Sequence, residues 1–415
     1  MSASALRCEV LTMQMIKRET TMPIPEVYHF DDTLDNELKY PFILMKYMNG
    51  HPLHEVWFDL DADPEVLEQR RCRALDDIAR VMVQLNRFVF PKAGQVLFDG
   101  SGEPCGVGLQ RMVDMQATLD SLHGDDHDGS FKLCTVWPFG DAKEWFLCML
   151  DRRSTPPDEY GAGTYKLFRL FIVLPFPSDG SLLQGRAEFV LAHPDLDIQN
   201  VIVSEDGGLL GFVDWDNVGT VPRFLGNDMY PSWLTGDWDA MMYRYDENAA
   251  PGPDCPNNTE ILPTELEHYR DVYRNVIEQV YDESNSSPSA AATAKGITSN
   301  SLLLHNLYIA VIDPVCKHDI VARVFKKIKR ITAPSEPHTE DREDADDDKD
   351  KSDGEENAND NADADGDKNN HESDEDGDEG DSDDFYAYDV LTEFERGELS
   401  DRNMERLTRG LTLVS

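Results

Sequence analysis

Two carboxylates and an amide sit where they could handle a phosphate group. Asp195 and Asn200 stand at Asp-x-x-x-x-Asn spacing in His193-Pro-Asp-Leu-Asp-Ile-Gln-Asn200. That loop leads into an apolar strand, Val201-Ile-Val203. Leu209 to Val213 reads as the returning strand, with Glu205-Asp-Gly-Gly208 as the hairpin turn between them. Asp214 follows directly. A tight hairpin sets the base of one strand beside the end of the other, so Asn200 and Asp214 should meet, with Asp195 just upstream. Phosphoryl transfer needs such a set. One carboxylate orients an attacking hydroxyl and accepts its proton; a second carboxylate and an amide oxygen hold Mg²⁺ on nucleotide phosphates. Ordinary surface hairpins also use Asp and Asn in their turns. The combination with His193, the hairpin and Asp214-Trp215 is what points to chemistry.

The same spacing occurs in the catalytic loop of protein kinases, where the Asp is the base and the Asn binds metal. More specifically, the two segments resemble the aminoglycoside phosphotransferase family, whose sites read His-Gly-Asp-Leu-x-x-x-Asn and Ile-Asp-Trp-Glu. The counterparts in this chain are His193 to Asn200 and Val213-Asp-Trp-Asp216. The Pro194 form resembles a fungal branch of that family. The resemblance implies transfer of the γ-phosphoryl of ATP to a hydroxyl of a small molecule, with Mg²⁺ as cofactor. It implies Asp195 as catalytic base, Asn200 and Asp214 as metal ligands, and His193 as a structural residue holding the loop. Leu6 to Val27 resembles the family's N-lobe helix, with Glu9 where a helix glutamate pairs with a strand lysine. Phe42 to Gly50 resembles the hinge between lobes, and the backbone at Lys46, Tyr47 and Met48 would bind adenine; an ordinary strand and turn is the other reading. The implied fold is α+β: a protein-kinase-like two-lobe fold with an incomplete N-lobe and a mainly helical C-lobe. Its expected divisions are an N-lobe remnant (1–48), a C-lobe with the catalytic loop and hairpin (49–335), an acidic insert (336–384) and C-terminal helices of the C-lobe (385–415).

The N-lobe is expected to be incomplete because only Met1 to Ala5 precede its helix. A family member would carry a phosphate-covering glycine loop and the strand lysine upstream. A true start further upstream is the preferred explanation, since Glu9, Asp195, Asn200 and Asp214 all remain. The competing explanation is a non-catalytic, pseudokinase-like binding module.

The elements that must position these residues follow from pattern. Residues 6–19 read as a helix with Leu6, Val10, Met13 and Ile16 on one face, ended by Pro23 and Pro25. Val27 to Phe30 and Phe42 to Met45 read as strands. Asp63-Pro-Glu65 is a helix start, with an N-cap, Pro at the first position and acid in the first turn. Phe90 to Asp99 reads as a strand with a turn. Residues 110–185 read as mixed and mostly helical, 264–281 and 301–330 as helices.

The chain's formal net charge of −43 argues against nucleic acid and anionic membranes as partners. Residues 336–384 carry −21 of it, from 25 acidic and 4 basic side chains, and have almost nothing apolar. Such a tract should be disordered, serving solubility first and recruitment of basic proteins second. An acidic body also suits a cationic acceptor, with Asp216 and Asp228 as weaker candidates near the site. The seven cysteines include no CxxC pair and fit free thiols in a reducing compartment. With no apolar leader segment, a cytoplasmic location is expected.

Overall fold

The computed structural model describes residues 3–122, 130–152, 158–173, 189–238, 243–250, 252, 255–284, 286–313, 316–332 and 385–414. The expected disorder of 336–384 lies outside these residues. Residues 1–332 and 385–415 form one compact unit. It mixes many helices with small antiparallel sheets.

The N-terminal helix spans Ala3–Glu19 and buries Leu6, Val10, Met13 and Ile16 along one face. Met13 and Ile16 enter the same apolar cluster as Leu75, Ile78, Tyr269, Tyr273 and Phe212. The cluster's long members are helices Pro64–Met82 and Pro263–Glu283, which pack on each other. Asp63 caps the first of them by accepting from the Glu65 N–H at 2.9 Å, with Pro64 at the first position. A second cluster gathers helices Ala142–Asp151, Glu159–Val173, Ser301–Ile312, Lys317–Thr332 and Ala387–Arg396. Helix Ala387–Arg396 ends at Gly397, whose φ of +74° closes it in the left-handed region. It packs on Glu159–Val173, and Asp401–Val414 packs on Lys317–Thr332.

Some local expectations need correction. The stretch 301–330 is two helices, not one. The first stops at Ile312 because Pro314 forces Asp313 out of the helical region, to φ −113° and ψ 118°. Within 110–185 an antiparallel pair, Gln110–Val113 with Leu133–Val136, accompanies the helices. Helix Pro288–Ser299 is built largely of Ala, Ser and Thr, which give little periodic signal in the sequence.

Two three-stranded antiparallel sheets matter most. One has the order Leu209–Phe212, Val201–Val203, His51–Pro52; the other Gly219–Pro222, Phe189–Ala192, Val89–Phe90. The loop 193–200 joins the middle strand of the second sheet to the middle strand of the first. The loop 213–218 joins an edge strand of the first to an edge strand of the second. Both loops that carry the candidate chemistry therefore bridge the same pair of sheets. Among the described residues, no helix is long and apolar enough to cross a membrane. None of the seven cysteines forms a disulfide.

Candidate active site

The loop 193–200 is held from within. Asp195 donates its backbone N–H to His193 Nδ1 at 3.2 Å, so His193 carries its proton on Nε2 and donates it to the Val213 carbonyl at 3.0 Å. One imidazole thus ties the first loop to the second. His193 is buried and lies edge-on to Trp215, ring centres 4.5 Å apart. Burial holds its pKa down at about 4, so it is a neutral strut near pH 7.

Asn200 is buried and spends its amide nitrogen on Asp195, donating to the backbone oxygen and to Oδ2, each at 3.0 Å. Its own backbone carbonyl accepts from the Val213 N–H at 3.0 Å. The amide oxygen is left as the Asn200 atom for a cation. Asp197 caps the short turn Ile198–Asn200 through the Ile198 N–H, and its N–H donates to the Asp195 carbonyl at 2.9 Å. Partial burial and the nearby Asp197 and Asp214 charges push the Asp195 pKa up, against the opposing Asn200 hydrogen bond. A raised carboxylate is better matched to accepting a proton near neutral pH.

Asp214 is exposed and has a φ of +62°; Asn217 has +63°. Among the described residues only one other non-glycine position, Lys39, has positive φ. Asp and Asn tolerate this region better than most side chains, yet two such residues in one short loop concentrate backbone strain. The loop is pinned by Trp215, fully enclosed, whose Nε1 donates to the Phe212 carbonyl at 3.2 Å.

The hairpin under these loops matches its expected bounds closely. Val201 pairs with Phe212, and Ile202 with Gly211. Gly207, at φ +82°, lies so close to the next element that a Cβ would sit 2.3 Å from the Arg70 carbonyl. The Leu209 N–H donates to Asp77 Oδ2 at 3.0 Å, fastening the hairpin to helix Pro64–Met82. At Gly211 the Met48 side chain packs where a Cβ would be, and the Pro23 carbonyl accepts from the Phe212 N–H at 3.1 Å.

The structure thus brings Asp195, Asn200, His193 and Asp214 together. Glu9 joins them, a member of the set despite its distance in sequence. It is buried, and one carboxylate oxygen, Oε2, has no partner. Burial first, then the Asp216 and Asp214 charges, raise its pKa to about 7. Asp216 is half-buried with Oδ1 unpartnered, and burial and Asp214 raise its pKa too. An excess of hard oxygen donors and negative charge fits a divalent cation of the Mg²⁺ kind.

Lys46, Tyr47 and Met48 follow strand Phe42–Met45, which pairs with Val27–Asp31. The Lys46 N–H is already donated to the Glu26 carbonyl at 2.7 Å, the Tyr47 side chain is exposed, and Met48 packs over the hairpin. Base recognition in this stretch would fall to other backbone groups than the Lys46 N–H.

Several supporting residues carry no sequence signal of their own. Asn227 donates to the Leu191 carbonyl at 2.9 Å and steadies the strand before the loop. Ser232 donates to the Leu196 carbonyl at 2.9 Å through Oγ. Asp228 is fully buried and accepts from Asn86 Nδ2 and Tyr281 Oη, each at 2.8 Å, so it is a structural anchor and does not line the site. Beside the loop lies a cavity of about 320 Å³ lined by Asp197, Ile198, Phe58, Trp233, Tyr243, Glu260 and His305, among others.

No protein-family model matches the sequence. The chain is 30% identical over 119 residues to altered inheritance of mitochondria protein 9, mitochondrial, of Candida dubliniensis and of Candida albicans, a match covering 29% of this chain and 19% of each relative. The protein of that name in Clavispora lusitaniae is 29% identical over 93 residues, 22% of this chain and 15% of the relative. The matches therefore span about a fifth or less of the relatives' length. A crystal structure from Ralstonia eutropha, provisionally called an aminoglycoside phosphotransferase, aligns over 80% of this chain and 76% of its own at 12% identity, with a TM-score of 0.38. The expectation of a cytoplasmic location is overturned, since these relatives are named as mitochondrial proteins. A reducing environment, inferred from free cysteines, does not distinguish the two compartments.

Proposed function

We propose that this chain carries the base-and-metal half of a phosphotransferase site in a protein-kinase-like fold of the aminoglycoside phosphotransferase kind, moving the γ-phosphoryl of ATP to a hydroxyl of a small molecule. The observation that supports this best is the joint anchoring of Asp195 by His193 and Asn200, with Asp214 at the end of the paired strand. Asp195 would orient the attacking hydroxyl and take its proton, helped by its raised pKa. Asn200 and Asp214 would hold Mg²⁺, which when bound neutralises charge on the transferring phosphate. His193 fixes the loop and exchanges no proton.

The cavity beside Asp197 is the proposed acceptor pocket. Its aromatic walls and its two carboxylates, Asp197 and Glu260, suit a cationic hydroxyl compound. The relatives' names favour a mitochondrial setting for this activity. The test is ATP consumption with Mg²⁺ across a panel of amino alcohols and amino sugars. Turnover that Asp195→Asn abolishes supports the proposal; turnover unchanged by that substitution overturns it.

A second reading is a binding module without turnover, in which the buried, unpartnered Oε2 of Glu9 serves no phosphate clamp. In that reading Mg·ATP binds weakly or not at all, and residues 336–384 recruit basic proteins.

A further inference from the structure

We propose that Glu68, Cys72 and His268 form a binding site for a zinc-class divalent cation, built from none of the residues of the phosphate site. Glu68 and Cys72 stand one turn apart on helix Pro64–Met82, and so share a face. His268 comes from helix Pro263–Glu283, which packs against it. Glu68 Oε1, Cys72 Sγ and a ring nitrogen of His268 lie within 4.8 Å of one another. Sγ is 3.1 Å from Oε1, and His268 Nε2 is 2.7 Å from the same oxygen.

The ligand types choose the metal. Thiolate, imidazole and carboxylate together favour Zn²⁺, whereas Mg²⁺ and Ca²⁺ prefer oxygen alone. Zinc bonds of about 2.0 to 2.3 Å in a tetrahedron require Oε1 to draw back from Sγ and from Nε2 by roughly half an ångström each. The Glu68 and His268 side chains are 42% and 52% exposed, so neither is jammed. The outer shell is already built. Tyr269 donates its hydroxyl to Glu68 Oε2 at 2.6 Å, and Arg71 Nη1 donates to that hydroxyl oxygen at 3.1 Å. This holds one carboxylate oxygen and turns the other toward the sulfur and the imidazole, as supports of metal ligands do.

Without metal, burial and then Glu68 push the Cys72 thiol pKa up to about 12, so the sulfur keeps its proton. On binding, the S–H bond breaks, the proton leaves to solvent and a zinc–sulfur bond forms. His268, whose Nε2–H is shared with Glu68 Oε1 in the metal-free chain, carries its proton on Nδ1 once Nε2 ligates, Glu68 contributes Oε1, and water completes the shell. Binding therefore releases the thiol proton.

The experiment titrates the metal-free full chain with Co²⁺ as a spectroscopic probe, then displaces it with Zn²⁺. Expected is one cobalt per chain with a thiolate-to-metal charge-transfer band, lost in Cys72→Ser, at least tenfold weaker in His268→Gln, and kept in Cys105→Ser. The acidic stretch 336–384 contains no cysteine and cannot produce that band. Absence of the band in the parent chain overturns the proposal, as does a band that survives Cys72→Ser. Melting without metal checks that the variants fold. Zinc should then raise the melting temperature of the parent but not of Cys72→Ser, and an equal rise in both also overturns it.

Discussion

Replacing Glu9 by glutamine probes the electrostatic strain at the site. The buried carboxyl is raised from 4.5 to about 7 by burial, Asp216 and Asp214. At about 1.4 kcal/mol per pH unit, ionising it in the folded protein costs about 3 kcal/mol more than in the unfolded chain. The sign follows from proton binding. The folded state holds this proton more tightly, so its contribution is greatest below 4.5 and is lost as pH rises through about 7. Glutamine keeps the shape and removes the charge. Solvent screening and residual polar contacts reduce the effect, so Glu9→Gln should gain about 1 to 3 kcal/mol at pH 8 and less than about 1 kcal/mol at pH 5, at most about a quarter of the pH 8 gain. Urea unfolding followed by circular dichroism, with chelator present, reads both values. A destabilised variant at pH 8, or an equal gain at both pH values, would show that the buried Glu9 charge is not strained.

Three further outcomes are expected. Because burial lowers His193 from 6.5 to about 4, its contribution is complete above 6.5 and is lost as pH falls toward 4. His193→Asn should therefore flatten the acid limb of stability by up to about 3 kcal/mol, measured by the same unfolding series. Gly207→Ala places a Cβ against the Arg70 carbonyl at a φ of +82°, so it should lower the unfolding free energy by about 2 kcal/mol or more. Asn227→Ala removes the bond to the Leu191 carbonyl; it should cost about 1 to 3 kcal/mol and speed hydrogen exchange in the strand Phe189–Ala192.

Much of this site could be read before any coordinates, for physical reasons. The β-branched run Val201 to Val203, the Asp-Gly-Gly turn and the apolar return strand specify a hairpin locally, and at its base the Val213 N–H donates to the Asn200 carbonyl, next to Asp214. The Asp63-Pro64-Glu65 start and the face of the N-terminal helix are equally local. Glu9 was picked out by resemblance, but its burial against Asp214 and Asp216 depends on tertiary packing that no local pattern encodes. The same holds for Asn227, Ser232 and the cavity wall from Trp233 to His305. Their residue types are ordinary, and only the fold sets them under the loop. The break before Pro314 was legible in principle, since a residue preceding proline leaves the helical region. The apolar run on both sides of it hid the boundary.

We propose that Asp195, Asn200 and Asp214 hold a divalent cation carrying nucleotide phosphates. The most direct measurement is calorimetric titration of the full chain with Mg·ATP, repeated on Asp214→Asn at matched ionic strength. Saturable binding that requires Mg²⁺ and weakens at least tenfold in the variant is expected. No Mg²⁺-dependent binding to the parent chain, or equal binding to both, would contradict it.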